Sequence, residues 1–320
     1  MAMCGFVAFN AALCSERAED APSDRPLPLF KKVHPDGVVL DTTERRRITS
    51  RFVRDTYQIW VDLPWSYKAR PGKRFPLIVL LDAPILFSAA EGMHKVFANA
   101  PDEKVPDCVV VGVAPDFSVD ANIGLIPFMQ ERGRDYTATH MSEEEIAKKY
   151  SKSLASMLGG RTGGAPRFTQ FLKLELIPLI EREYRVTSDR AIVGYSASAG
   201  YGCYVLFKEP GLFRRFVLLS PWLEWDDYLV ARKLQKEFFE RHSDLTANIY
   251  ICTGSREIGD PLNPNEEGRN EAAFVERFKA RHYPSLKIDR RVFDDESHAT
   301  VWMVGYSHGI RAVFSDFVEE

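Results

Sequence analysis

The sequence predicts an α/β protein: one mostly parallel central sheet with helices on both faces. Three observations carry this. Two continuous apolar runs, FPLIVLL from Phe75 to Leu81 and DCVVVGV from Asp107 to Val113, have the composition of strands buried on both faces. From residue 184 onward, short apolar strands alternate with helix-length segments, the rhythm of parallel βαβ units. The chain has 320 residues, 45% of them hydrophobic, and shows no internal repeat, so one large core is expected rather than two.

In chain order, residues 1–36 read as an irregular arm ahead of a single domain over 37–320. The apolar stretch from Cys4 to Cys14 has the length of a signal-peptide core. It lacks a preceding Lys or Arg, so an arm on a cytoplasmic protein is expected and export is the alternative. Strands follow at Ile48 to Val53 and Thr56 to Leu63. The cluster Glu44-Arg45-Arg46-Arg47 beside them reads as a solvated strand entry. Pro84 to Ala98 suits a helix. Residues 114–140 show little periodicity and read as a loop, part of a mobile loop or cap segment over about 114–165. Within it, SEEEIAKKYSKSLASML reads as a helix capped by Ser142, with Glu143 to Glu145 in its first turn. Pro166 to Tyr184 is a long amphipathic helix with a kink expected at Pro178. Strands are then expected at Ala191 to Val193, Phe216 to Ser220, Asn248 to Cys252 and Leu286 to Phe293. Helices are expected at Tyr201 to Phe207, Asp227 to Phe239, Glu271 to Arg281 and Thr300 to Phe317.

Composition narrows the function. A net charge of −3 gives no reason to expect nucleic acid, and no run is long enough to span a membrane. The five cysteines, Cys4, Cys14, Cys108, Cys203 and Cys252, are odd in number and lack metal-site spacing, which suggests buried free thiols.

Two stretches resemble the G-x-S-x-G of a serine nucleophile. Gly305, Ser307 and Gly309 match it fully, but they lie in a helical pattern whose face is Val301, Val304, Ile310, Val313, Phe314 and Phe317. No histidine follows them. The stretch VGYSASAG matches imperfectly, with Ser198 at the second glycine. Its context is better, because strand AIV leads into Ser196 and a helix-forming run leads out, as a nucleophile elbow requires. The Ala197 N–H then becomes an oxyanion donor. Downstream, His298 follows the last strand, where the general base belongs. The acid should follow the strand NIYIC. Glu257 is favoured there, with Asp260 the alternative, and Asp294, Asp295 or no acid also open.

With these pieces placed, the sequence resembles the esterase-D-type branch of the α/β-hydrolases, and within it the enterochelin and salmochelin (siderophore) esterase-like hydrolases. The resemblance spans about residues 48–316. It rests on TYQIWVDLPWSY, FPLIVLLDA, RGRDYTAT, RAIVGYSASAG, FKEPGLFRRFVLLSPWLEW, ICTGSREIGD and the SHA opening the last helix. It implies the α/β-hydrolase fold, hydrolysis of a small-molecule carboxylic ester, and no metal or organic cofactor. It further implies Ser196 as nucleophile, His298 as base and Arg134 and Asp135 beside the substrate cleft. Trp222 and Trp225 are candidates for the pocket wall. Two departures stand out: Ser198 for the usual glycine, and LLDAP for the usual L-L-D-G. Pro84 has no N–H, so the second oxyanion donor must be Ala83 or Ile85, or be absent. These departures keep two other readings open, an acyltransferase or cyclase using the same serine and histidine, and a non-catalytic binding protein. The sequence leaves oligomeric state open.

Overall fold

The computed structural model describes residues 42–116, 125–258 and 267–318. Eight strands form one sheet among the described residues: β1 (Thr43–Thr49), β2 (Thr56–Asp62), β3 (Phe75–Leu80), β4 (Val109–Pro115), β5 (Val186–Tyr195), β6 (Arg215–Leu219), β7 (Ala247–Gly254) and β8 (Leu286–Phe293). Their order is β1-β2-β4-β3-β5-β6-β7-β8. The β1–β2 and β2–β4 pairs are antiparallel and the remaining pairs are parallel. The helices are α1 (Ser66–Ala69), α2 (Ala83–Asn99), α3 (Leu125–Tyr136), α4 (Glu143–Lys149), α5 (Lys152–Leu158), α6 (Ala165–Phe171), α7 (Ile177–Glu183), α8 (Ala197–Lys208), α9 (Trp225–Tyr228), α10 (Gln235–Arg241), α11 (Glu267–Lys279) and α12 (Val301–Val313).

The period-two geometry of a strand divides FPLIVLL between two cores. Phe75, Leu77, Val79 and Leu81 pack with Phe168, Phe171, Tyr201 and Phe274 on one face. Ile78 and Leu80 pack with Phe87 of α2 and with Tyr306 and Ile310 of α12 on the other. Both faces are covered, which is why this strand carries no polar residue. Arg215, at the start of β6, is fully buried and bonds Asp189 and Asp316. Cys108, Cys203 and Cys252 are buried free thiols, as expected.

Several elements differ from expectation. The Arg-rich stretch is itself strand β1, paired along its length with β2, rather than the approach to a strand beginning at Ile48. The loop expected over 114–140 contains helix α3. Its buried residues are Phe128, Arg132, Gly133, Arg134 and Asp135, so the face turned inward is largely charged and leaves no apolar period to read. Ser142 caps α4 in a reciprocal capping box with Glu145. Between α6 and α7, a π-helical turn, Leu172–Leu176, stands just ahead of Pro178, which has no N–H to close a normal turn. The helix expected from Asp227 is broken: Asp226, Asp227 and Tyr228 have positive φ, and a π-helical segment, Leu229–Leu234, precedes α10. The N-terminal arm, Cys4, Cys14 and Asp260 lie outside the described residues.

Helices α4 and α5 form a small core of their own, in which Met141, Ile146, Ala155 and Leu158 meet Trp225. No helix among the described residues is long and apolar enough to cross a membrane.

Candidate active site

The candidate site lies at the C-terminal ends of four adjacent strands, where open parallel sheets bind their ligands. Strand β5 ends at Tyr195 and α8 starts at Ala197. Ser196 between them has φ 59° and ψ −117°. This strained conformation is that of a nucleophile elbow. Its backbone is pinned. The Ser196 N–H donates to the Leu219 carbonyl at 2.9 Å, and its own carbonyl accepts from Gly200 at 2.9 Å and Trp222 at 3.0 Å. A Cβ on Gly194 would lie 2.5 Å from the Ser198 carbonyl oxygen, so only glycine fits where strand and helix meet.

Ser198 is fully buried at the position of the missing glycine. Its hydroxyl accepts the Tyr195 N–H at 2.8 Å and donates to Asp82 Oδ2 at 2.7 Å. Asp82 in turn accepts two bonds from Arg132, both 2.9 Å, and Arg132 also donates to the Tyr195 carbonyl at 3.1 Å. The departure from G-x-S-x-G thus gains a specific set of partners: Ser198 ties the elbow to the end of β3 and to α3.

Glu257 follows β7 and is 2% exposed. Its Oε1 accepts from the Gly254 N–H at 2.7 Å and Thr253 Oγ1 at 3.2 Å. Its Oε2 lies 2.6 Å from His298 Nδ1 and accepts from Ser220 Oγ at 2.5 Å. Burial raises the proton affinity of this carboxyl, but the bonds from His298, Ser220 and Gly254 outweigh it and hold its pKa at about 2. A charged carboxylate on Nδ1 fixes the proton there and leaves Nε2 as the basic nitrogen. The His298 carbonyl accepts from Tyr195 Oη at 2.6 Å, and the Tyr195 ring lies 5.0 Å from the imidazole. The residue preceding Ser196 therefore holds the loop that carries His298.

A cavity opens at Ser196 and Ala197, lined also by Met129, Arg132, Leu154, Leu158 and Trp222.

The sequence matches the family model described as "Putative esterase" over residues 50–302. The chain belongs to this esterase family. It is similar to the ferri-bacillibactin esterase BesA of Bacillus subtilis, with 24% identity over 276 residues, 84% of this chain and 88% of that protein. Its fold is similar to that of the BES protein from Bacillus cereus, with a TM-score of 0.71 and 21% identity over 88% of this chain and 98% of that one. It is also similar to the siderophore hydrolase EstA from Aspergillus nidulans, with a TM-score of 0.71 and 19% identity over 91% and 99% of the two chains. The protein is accordingly a carboxylic ester hydrolase with the α/β-hydrolase fold.

In this esterase the other expected site residues separate. Trp222 lines the cavity, whereas Trp225 is buried against Tyr150 in the small core, with its Nε1 bonded to Thr139. Arg134 and Asp135 are not at the cavity with Ser196. Arg134 donates to Asp135 at 2.7 and 2.9 Å, Tyr57 Oη donates to Asp135 at 2.7 Å, and Arg134 also pairs with Asp55 and Glu131. Their bonding capacity is spent inside the fold. Arg132, which the sequence reading passed over, is the arginine of that stretch that lines the cavity. Asp294 and Asp295 engage Ser255 and Arg256 instead of His298. The Ile85 N–H already donates to the Asp82 carbonyl at 3.0 Å, which removes it as an oxyanion donor. Ala83 is the first residue of α2, buried after β3 and outside the set lining the cavity.

The complete motif at Ser307 is helix packing. A Cβ on Gly305 would lie 2.6 Å from Cys252 Sγ, and one on Gly309 would lie 2.5 Å from Val217 Cγ1. The two glycines let α12 lie close on β6 and β7, and the serine between them faces away.

Proposed function

We propose that Ser196, His298 and Glu257 carry out the ester hydrolysis as nucleophile, general base and orienting acid. His298 Nε2 takes the Ser196 proton as Oγ attacks the ester carbonyl. His298 then protonates the leaving alcohol, and water repeats the cycle on the acyl-enzyme. The Ala197 N–H, at the start of α8 and on the cavity wall, serves as one oxyanion donor. The observation that carries this reading is the 2.6 Å bond between Glu257 and His298, on loops that follow the elbow in the order serine, acid, histidine.

The substrate proposed is a siderophore-like ester or lactone. This is supported by the relatives, described as acting on ferri-bacillibactin and siderophores, and by a cavity that combines apolar walls with one guanidinium. Trp222 forms one wall of it. Turnover of p-nitrophenyl esters and of a ferric trilactone by wild type, Ser196→Ala and His298→Ala tests the assignment. Each variant is expected to lose on the order of 10⁴-fold or more in kcat. Full activity in Ser196→Ala sinks it.

A further inference from the structure

Ser220 follows β6 directly, between the strand that flanks the elbow and the strand that precedes Glu257. It has φ 45°, uncommon for a residue with a Cβ, and is fully buried. Its N–H donates to the Cys252 carbonyl of β7 at 2.7 Å, which holds the unusual backbone in place. Its hydroxyl lies 2.5 Å from Glu257 Oε2 and 3.0 Å from His298 Nδ1, and those two atoms lie 2.6 Å apart. Three heteroatoms thus form a closed triangle.

The proton inventory of this triangle has one consistent solution. A carboxylate only accepts. The Ser220 hydroxyl therefore donates to Glu257 Oε2. The Nδ1–H is shared between Oε2 and the lone pair on Ser220 Oγ. Both bonds favour the same imidazole tautomer and the same ring plane.

We propose that Ser220 is a positioning residue for the catalytic histidine: it locks the Nδ1–H tautomer of His298 and disperses the charge on Glu257. This rests on the roles assigned above to Ser196, His298 and Glu257. Dispersing the carboxylate charge limits how strongly it stabilises imidazolium. Losing the hydroxyl raises the affinity of the pair for a proton, so the acid limb of kcat/KM moves to higher pH. Ser220 does not line the cavity at Ser196, so KM should change little.

The test is kcat, KM and the pH profile of the full chain for wild type, Ser220→Ala and Ser220→Gly, beside Ser196→Ala. Alanine removes the hydroxyl and keeps a Cβ at positive φ. Glycine removes the hydroxyl and suits that backbone. Both variants are expected to lose about ten- to a hundred-fold in kcat, from one charged hydrogen bond, and to show the shifted acid limb. If the glycine variant keeps wild-type kcat and an unmoved profile, the serine is only a backbone solution and the proposal is overturned. The same holds for the alanine variant if it folds. If Ser196→Ala stays active, the nucleophile assignment fails and the proposal falls with it. An inactive Ser196→Ala beside unperturbed Ser220 variants removes the Ser220 proposal alone.

Discussion

Replacing Glu257 with glutamine should weaken the fold in a pH-dependent way. The carboxylate is buried and receives four hydrogen bonds, and its pKa falls from the ordinary 4.5 to about 2. A depressed folded-state pKa contributes stability above the unfolded value, and that contribution is lost as pH falls through the folded value. The size of the fall corresponds to about 3 kcal/mol. Urea denaturation of wild type and Glu257→Gln at pH 7, 5, 4 and 2.5 measures it. Wild type should exceed the variant by about 3 kcal/mol at pH 7 and 5, and the gap should close steadily between pH 4.5 and 2. In the same variant kcat should drop by up to about 10⁴-fold, because a glutamine no longer enforces the Nδ1–H tautomer. Equal stability at pH 7, or a gap that persists unchanged at pH 2.5, would refute the reasoning.

Further outcomes are expected. Ser307→Ala should keep wild-type turnover, whereas Gly305→Ala should destabilise the fold by about 1–3 kcal/mol in denaturant titration, because its methyl meets Cys252. Ser198→Ala should lower kcat more than it raises KM in steady-state assays, because Asp82 loses a donor and the elbow loses its tie to α3. Asp135→Asn and Arg132→Ala should each cost about 3 kcal/mol of stability by calorimetry, by removing one partner of a buried ion pair, and only Arg132→Ala should also raise KM for esters that reach the guanidinium.

The centre of the sheet was legible because β3 and β4 are buried on both faces, and FPLIVLL and DCVVVGV show it without ambiguity. The elbow was legible from context, since strand, small residues and helix stand in order around Ser196, while the better-spelled copy lies in a helix. Helix α3 was not legible, because it buries arginines and an aspartate and hydrophobic periodicity cannot register such a face. The same feature misdirected the reading of R-x-R-D. Sequence alone does not say which arginine of a helical turn faces a cavity, and here it is Arg132 and not Arg134. Ser220 and Tyr195 were passed over because neither has a motif. Their roles come from strands adjacent in space and distant in sequence. A tyrosine before Ser196 and a serine at the end of the next strand are the signals available in retrospect. Ser198 looked like a loss by spelling, and only the contact with Asp82 across 116 residues shows what the hydroxyl bonds to.

The central claim is that Ser196 is the activated nucleophile, and a fluorophosphonate tests it most directly. Wild-type protein is treated with the probe and the modified residue located by mass spectrometry, with Ser196→Ala and Ser307→Ala alongside. A single adduct on Ser196, absent from Ser196→Ala and unchanged in Ser307→Ala, is the expected result. An adduct on Ser307, or labelling that survives Ser196→Ala, contradicts the account.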